Sequence, residues 1–96
     1  MQQDYYVYVL CCADGSHYVG STSDLEQRLN EHSDGRAASY TARRLPVHLV
    51  YSERHESIES ARRRELQIKR WTRAKKEALF RGDMAELKKM AKRRIP

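Results

Sequence analysis

Residues 5–20, YYVYVLCCADGSHYVG, decide the fold of this chain. Two runs of residues that favour β-strands, 5–11 and 17–20, flank a short polar segment. That segment contains Asp14-Gly15, and this pair supplies the positive φ that a tight hairpin turn requires. The stretch therefore predicts an antiparallel β-hairpin.

The segment after the hairpin predicts one helix and a loop. Ser23 and Glu26 fit a capping box, which predicts an N-cap at Ser23 and a helix through about Ser33. Asp34-Gly35 would end this helix. Residues 35–46 are polar and basic and predict a loop.

The remaining elements are one strand and three helices. Residues 47–51, VHLVY, predict a third strand, and their weak alternation favours a central position or one covered on both faces. Ser57 and Thr72 are good N-caps, predicting a helix to about Trp71 and another over residues 73–81. A basic C-terminal extension at about 83–96 opens on a further capping box.

The sum is one α+β domain spanning residues 1–96, in the order β-β-α-β-α-α-α. Its small three-stranded antiparallel sheet would be flanked by helices.

Charge is distributed unevenly along the chain. The 96 residues include 19 Lys and Arg against 13 Asp and Glu, a formal net charge of +6. Residues 1–53 carry a net charge of −3 and residues 54–96 a net charge of +9. Such a basic field attracts polyanions, nucleic acid first among them, although basic helices are also often only solvated faces.

Other classes of protein are disfavoured by the sequence. No run approaches the roughly 18 apolar residues of a membrane span, and Met1 leads into charged and aromatic residues rather than a signal stretch. We therefore expect a cytoplasmic protein. Cys11 and Cys12 are adjacent, a spacing that fits neither a disulfide framework nor a metal site, and one of them should lie in the core.

One charged residue interrupts the apolar stripe of the helix that follows Ser57. At about 3.6 residues per turn, Glu65 falls on the same stripe as Ala61 and Ile68. An unpaired carboxylate there is costly, so Glu65 should have a partner, either a protein cation or a metal ion. The simpler alternative is that Glu65 reaches the flank of the helix and pairs with Lys69 at i+4.

Polar residues also share a face of the first helix. Arg28 and His32 lie one turn apart, beside Leu25 and Leu29. They are either rim residues around two core leucines or parts of a site, in which Arg28 could neutralise phosphate charge and His32 could relay a proton.

Tyrosines are unusually frequent, six against one Phe. Tyr6 and Tyr8 share one face of the first strand, whereas Tyr5 lies on the other. Any single strand tyrosine is expected to pack and to send its hydroxyl to water, but a phenol beside Arg or a metal can act as a base or orient a nucleophile.

Taken together, these residues resemble the GIY-YIG nuclease domain, over about residues 4–82. The resemblance is carried by Tyr6-Val7-Tyr8, Tyr18-Val19-Gly20, Arg28, His32 and Glu65. The chain is most similar to the short stand-alone bacterial (YhbQ-like) branch. That branch's pattern is matched by Tyr40-Thr41, Arg44, Pro46, Leu49-Val50-Tyr51, Arg64-Glu65 and Ile68-Lys69.

The resemblance implies a metal-dependent endonuclease that hydrolyses phosphodiester bonds in DNA. Glu65 would bind one Mg²⁺ or Mn²⁺, with water in most other positions. Tyr8 would help to activate the attacking water and Tyr18 would position the nucleophile or the phosphate. Arg28 would neutralise the scissile phosphate, with His32 at its edge. Gly20 would allow close packing at the end of its strand, and Tyr6 and Lys69 would support the motifs.

Because 96 residues leave no room for an additional DNA-binding domain, we expect the nuclease-like domain itself to bind nucleic acid. The predicted contacts, for phosphates and for stacking on an exposed base, are Arg36, Tyr40, Arg43, Arg44, Arg70 and Arg73. Trp71 is instead expected to cover the core between two helices. We expect selection of structure, such as branches, flaps, nicks or single strands, in DNA repair or recombination.

Two departures from the family pattern leave a second interpretation open. Tyr6 replaces the glycine of the first motif, and Asn30, the only asparagine, precedes Glu65, whereas many relatives have a late asparagine. The chain could therefore be a catalytically weak nucleic-acid-binding module that acts with a partner protein. A structural or ribosome-associated basic protein is a third, weaker interpretation. The residues leave DNA or RNA, and the oligomeric state, open.

Overall fold

The computed structural model describes residues 3–82, which form a three-stranded antiparallel sheet with helices on both faces. This confirms the predicted α+β class. The elements in chain order are β1 Tyr5–Cys11, β2 His17–Thr22, α1 Leu25–Ser33, α2 Ser39–Ala42, β3 His48–His55, α3 Ile58–Lys69 and α4 Arg73–Phe80. The predicted last helix, and with it the basic extension at about 83–96, lies outside the described residues.

Strand β1 is the centre of the sheet, because the strand order is β2-β1-β3. Its middle residues, Val7 to Leu10, are almost completely buried on both faces. Val7 and Val9 point to one face and pack with Val19 of β2 against α3 and α4. Tyr8 points to the other face, toward α1. The sheet therefore separates an aliphatic core from a polar one.

The prediction that the third strand is central or doubly covered is wrong. Strand β3 pairs only with β1 and lies at the edge of the sheet. Its weak alternation has a different cause, because the pairing shifts register between Val9 and Leu10, whose partners are Tyr51 and Leu49. Val50 is thus an extra residue in the ladder, and such a bulge breaks the two-residue pattern. The strand also runs on to His55, beyond the predicted end at Tyr51.

The first helix begins one residue later than predicted. The side chain of Asp24, not that of Ser23, accepts a hydrogen bond from the backbone N–H of Gln27 at 3.1 Å. Strand β2 continues to Thr22, whose hydroxyl oxygen accepts from the Asp24 N–H at 3.1 Å, so the turn into the helix is shifted. Gly35 follows the helix with a φ of +75°, as the predicted stop requires.

The segment predicted as a loop, residues 35–46, contains the one-turn helix α2. Four residues are too short to show a helical apolar period, and α2 is held in place by Thr41, which is completely buried.

The other predicted helix starts are confirmed. Ser57 accepts from the N–H of Ser60 and Thr72 accepts from that of Lys75. Trp71, at the junction of α3 and α4, packs against the core with cationic side chains from both helices over its ring. Cys12 is buried, and it and Cys11 are both free thiols. Within residues 3–82, no helix has the length and apolar character needed to cross a membrane.

One contact in the sheet predicts a large sensitivity to substitution. Gly20 pairs with Tyr8, and a Cβ at Gly20 would lie 2.5 Å from the Tyr8 hydroxyl oxygen and 2.6 Å from ring carbon Cζ. Because the Tyr8 ring is fully enclosed, we expect Gly20→Ala to lower the free energy of unfolding by about 1–3 kcal/mol in urea titrations.

A double-mutant cycle with Tyr8→Leu isolates this contact. In the Tyr8→Leu background the ring is absent, and Gly20→Ala should cost clearly less. An equal cost in both backgrounds would show that the methyl group conflicts with something other than Tyr8.

Candidate active site

The residues predicted to be catalytic lie around strand β2, on both faces of the sheet. Tyr18 and Gly20 lie on the face that carries Tyr8. Ser21 lies on the opposite face and contacts Glu65 of α3. Tyr8, Tyr18, Arg28 and His32 thus form one group, and Glu65 with Lys69 forms a second group across the edge.

A chain of buried hydrogen bonds organises the first group. The Tyr8 hydroxyl lies 2.8 Å from His32 Nε2, and His32 Nδ1 lies 2.8 Å from Thr41 Oγ1. The Thr41 hydroxyl donates to the carbonyl oxygen of Ala38 at 3.1 Å. Because that donor is used, Thr41 must accept from His32 Nδ1–H, and Nε2 of the neutral imidazole accepts from the Tyr8 O–H.

The surroundings keep the two ionisable groups of this hydrogen-bond chain, Tyr8 and His32, in their neutral forms. Burial, reinforced by the Arg28 charge, lowers the pKa of His32. Burial also raises the pKa of the Tyr8 phenol, with Tyr18 adding to the effect and Arg28 opposing it. A neutral His32 is a proton acceptor, and Tyr8 can release its proton only to a neighbour of that kind. His32 is 1% exposed, so its interpretation as a rim residue is wrong.

Tyr18 and Arg28 lie between this buried chain and solvent. The Tyr18 ring contacts the His32 ring edge-on, with centroids 5.1 Å apart, and lies 6.4 Å from the Tyr8 ring. The Arg28 guanidinium is half-exposed and only loosely paired, with Nε 3.5 Å from Glu31 Oε1. It can therefore receive an anion beside Tyr8 and His32 without breaking a strong contact.

Glu65 has two partners, one for each carboxylate oxygen. Oε1 accepts from the Ser21 hydroxyl at 2.6 Å, and Oε2 lies 2.7 Å from Lys69 Nζ. The Glu65 carboxylate therefore has the partner that its position predicts, and the predicted i+4 ion pair with Lys69 is present. Ser21 was not among the predicted site residues, although its place next to Tyr18-Val19-Gly20 and the alternation of the strand could have identified it.

The donor set at Glu65 fits a magnesium-type ion. The described part of the chain contains no cluster of three or more His, Cys, Asp or Glu side chains. Mg²⁺ commonly uses one or two carboxylates, keeps several waters and takes further oxygens from substrate phosphates. Glu65 can supply one such carboxylate, with water and substrate oxygens in the remaining positions.

A groove runs from the site along the edge of β2. It is lined by His17, Tyr18, Val19, Tyr40, Lys69 and Lys76. Tyr40 is 38% exposed and stacks on Tyr18, with ring centroids 6.1 Å apart. Two lysines and two tyrosines therefore face the same space, which suits a phosphate backbone with unstacked bases.

The other residues predicted to bind nucleic acid are spread over more than one surface. Arg44 lies over the Tyr40 ring at 3.8 Å and pairs with Asp14, so it also connects α2 to the hairpin turn. Arg36 is exposed and pairs with Asp34, while Arg43 is exposed and unpaired within the described residues.

On the helical side, Arg73 pairs with Glu77 and reaches Gly15 in the hairpin turn. Arg70 lines a separate groove with Trp71 and Lys75. Arg70 is thus not brought together with Glu65.

Two further placements complete the site. Tyr6 shares the strand face of Tyr8 but lines a shallow groove with Leu25 and Leu29 of α1. Thr41 belongs to the family pattern, but its contact with His32 was not predicted, because that contact depends on a short helix that has no local signal.

Comparison with known proteins identifies the family. Residues 4–78 match the family described as the GIY-YIG catalytic domain. A UPF0213 protein of Natronomonas pharaonis is 51% identical over 79 residues, which cover 82% of this chain and 93% of that protein. A UPF0213 protein of Bacillus pumilus is 46% identical over 76 residues, 79% of this chain and 78% of that protein.

Solved structures give the same grouping. The solution structure of the UPF0213 protein BH0048 from Bacillus halodurans is 43% identical, with a TM-score of 0.52, and the match covers 79% of this chain and 81% of that one. The solution structure of a protein from E. faecalis is 36% identical with a TM-score of 0.56, over 88% and 93% of the two chains. This chain belongs to the GIY-YIG family of nuclease domains, within its short stand-alone UPF0213 branch.

Proposed function

We propose that this protein is a metal-dependent endonuclease that hydrolyses phosphodiester bonds in DNA, selects its substrate by structure and works in repair or recombination. The observation that carries this proposal is the buried chain from Tyr8 through His32 to Thr41, with Arg28 beside it. A phenol hydrogen-bonded to a neutral imidazole can transfer a proton, and a nuclease needs such a transfer to activate the attacking water.

The proton path runs inward from the site. A water at the Tyr8 oxygen gives up its proton as Tyr8 passes its own to His32 Nε2. The two transfers are coupled, because burial raises the pKa of Tyr8 and a free phenolate would be costly. Thr41 keeps the imidazole in the accepting tautomer by binding Nδ1–H.

The remaining residues handle the phosphate. Arg28 neutralises the phosphate through its guanidinium fork, and Tyr18 orients the phosphate or the attacking water from the outer side of His32. Glu65 would hold Mg²⁺ or Mn²⁺, which when bound polarises the phosphate and stabilises the leaving oxygen. Ser21 fixes the orientation of the carboxylate.

The groove supports selection by shape. Its lysines provide contacts to phosphates, and Tyr40, which is stacked on Tyr18 and lies under the Arg44 guanidinium, is partly exposed at its rim. Neither feature reads base edges, and contacts to phosphates carry no sequence information. Single-stranded regions at flaps, branches or nicks are therefore the favoured substrates.

Cleavage of a labelled panel tests the activity. Single-stranded, duplex, flap and four-way-junction DNA are incubated with the full chain in Mg²⁺, Mn²⁺ or EDTA. We expect metal-dependent cutting that Glu65→Gln lowers by at least about 100-fold, since several kcal/mol of transition-state stabilisation are lost.

Glu59→Gln is the matched control, because Glu59 is an exposed carboxylate in the first turn of the same helix. It should cut like the wild type. Tight, salt-sensitive binding without Glu65-dependent cutting would favour the alternative of a nucleic-acid-binding module that acts with a partner.

The pH dependence tests the proton path. His32 must be neutral to accept a proton, and burial lowers its pKa below the usual value of about 6.5. We expect kcat/KM at saturating Mn²⁺ to be on a plateau near neutral pH and to fall as the pH drops through this lowered pKa. His32→Gln should remove that limb of the profile together with most of the activity.

Tyr8→Phe serves as the comparison, because it deletes the hydroxyl and leaves the imidazole in place. It should also be slow and should not show the acidic limb. A variant at His32 that keeps the wild-type profile would exclude His32 as the acceptor.

A further inference from the structure

Lys69 joins two parts of the site that have different ligands. Its ammonium lies 2.7 Å from Glu65 Oε2, and the same side chain lines the groove beside Tyr40. If Glu65 is the metal ligand, as in the proposed function on which this inference rests, one lysine contacts both the metal position and the path of the DNA backbone.

We propose that Lys69 is a positioning residue that couples DNA binding to metal binding. In the DNA-free protein its ammonium neutralises Glu65 in place of a divalent cation. A phosphate that enters the groove between Lys69 and Lys76 draws the ammonium away, and Oε2 becomes free for the metal.

The two contacts of Glu65 differ in charge, and the proposed exchange of Lys69 for a metal ion depends on this difference. The Ser21 hydroxyl is neutral, and its bond to Oε1 keeps the carboxylate in one orientation. Lys69 instead brings a full positive charge to Oε2, where a divalent cation would be repelled by it. Metal binding therefore competes with Lys69 and not with Ser21.

The lysine is able to move. The Lys69 side chain is 46% exposed, whereas that of Glu65 is 19% exposed. Lysine is a compact charge on a flexible stem, so it can change partners without disturbing α3. An ion pair this exposed is weak, so the binding of a phosphate is sufficient to compete with it.

The groove supplies the competing anion. Lys76 also lines the groove, and among the described residues no carboxylate lies within ion-pair distance of its ammonium. The Lys76 charge helps to lower the pKa of His17. A phosphate between Lys69 and Lys76 would contact two cations, whereas Glu65 contacts only Lys69. By linkage, the metal must then raise DNA affinity by the same factor as DNA raises metal affinity.

Binding of Mn²⁺ to the DNA-free full chain, followed by the EPR signal of the free ion, tests the competition. We expect Lys69→Met to tighten Mn²⁺ binding by at least about threefold. Lys76→Met removes a cation from the same groove without touching Glu65 and should have clearly less effect. Damage to the fold would loosen Mn²⁺ binding, so the expected direction separates the proposal from a structural role, and Lys69→Gln provides a second variant.

The second measurement is the affinity for a labelled single-stranded phosphorothioate oligonucleotide by fluorescence anisotropy, in EDTA and in Mn²⁺. Mn²⁺ should raise the affinity of the wild type and of Lys76→Met more than that of Lys69→Met. Equal tightening of Mn²⁺ binding by the two methionine variants, or equal Mn²⁺ effects on DNA affinity, would overturn the proposal.

Glu65→Gln distinguishes this failure from that of the proposed function. If it binds Mn²⁺ as well as the wild type does, Glu65 is not the ligand and the metal site itself is wrong. If binding depends on Glu65 but not on Lys69, only the coupling is wrong.

Discussion

The Tyr8 phenol sits between Gly20 on the next strand and His32 on α1, and this placement constrains much of the molecule. The ring fits only because Gly20 has no side chain, since a Cβ there would lie 2.5 Å from the hydroxyl oxygen. Once the hydroxyl is buried it needs a partner, and His32 provides it at 2.8 Å. His32 is also buried and needs a partner for Nδ1, which Thr41 provides, so the short helix α2 has to pack beside His32. A β-strand, a long helix and a one-turn helix are thus fixed by one chain of polar contacts.

Strand β2 brings the two halves of the site together because its side chains alternate. Tyr18 faces the polar core, while Ser21 faces α3 and holds Glu65. The burial of Ala61 and Ile68 in the core fixes which face of α3 meets the sheet, and Arg64 adds a contact to β3, with its Nε 3.1 Å from Glu53 Oε2. Burial opposes the charge on Glu53, but hydrogen bonds from Tyr51, His55 and Arg64 outweigh it and lower the Glu53 pKa. A charged pair therefore links the edge strand to the helix that presents the candidate metal ligand.

Local patterns were sufficient for much of the fold, and the failures have a common cause. The Asp14-Gly15 turn and the caps at Ser57 and Thr72 depend on residues a few positions apart, and all three are present. The edge position of β3 and the burial of His32 depend on pairing between distant segments, which a single window of sequence does not contain. The family resemblance selected residues that the fold does bring together around β2, but it did not identify the contacts of Thr41 or Ser21. Those contacts follow from side-chain geometry, which no spacing rule supplies.

A site with one carboxylate has a consequence for the order of binding. The cations Arg28, Lys69 and Lys76 lie around the groove and the buried chain, whereas the neighbouring carboxylates, those of Glu31, Glu65 and Glu77, are each already paired. A divalent cation alone would add charge to a region that is already positive, so it is disfavoured until an anion arrives. In the proposed function the phosphate of the substrate would be that anion, and it would also supply further oxygen ligands for the metal. If the proposed function holds, the substrate would complete the site, and metal binding would be favoured only when DNA is in place.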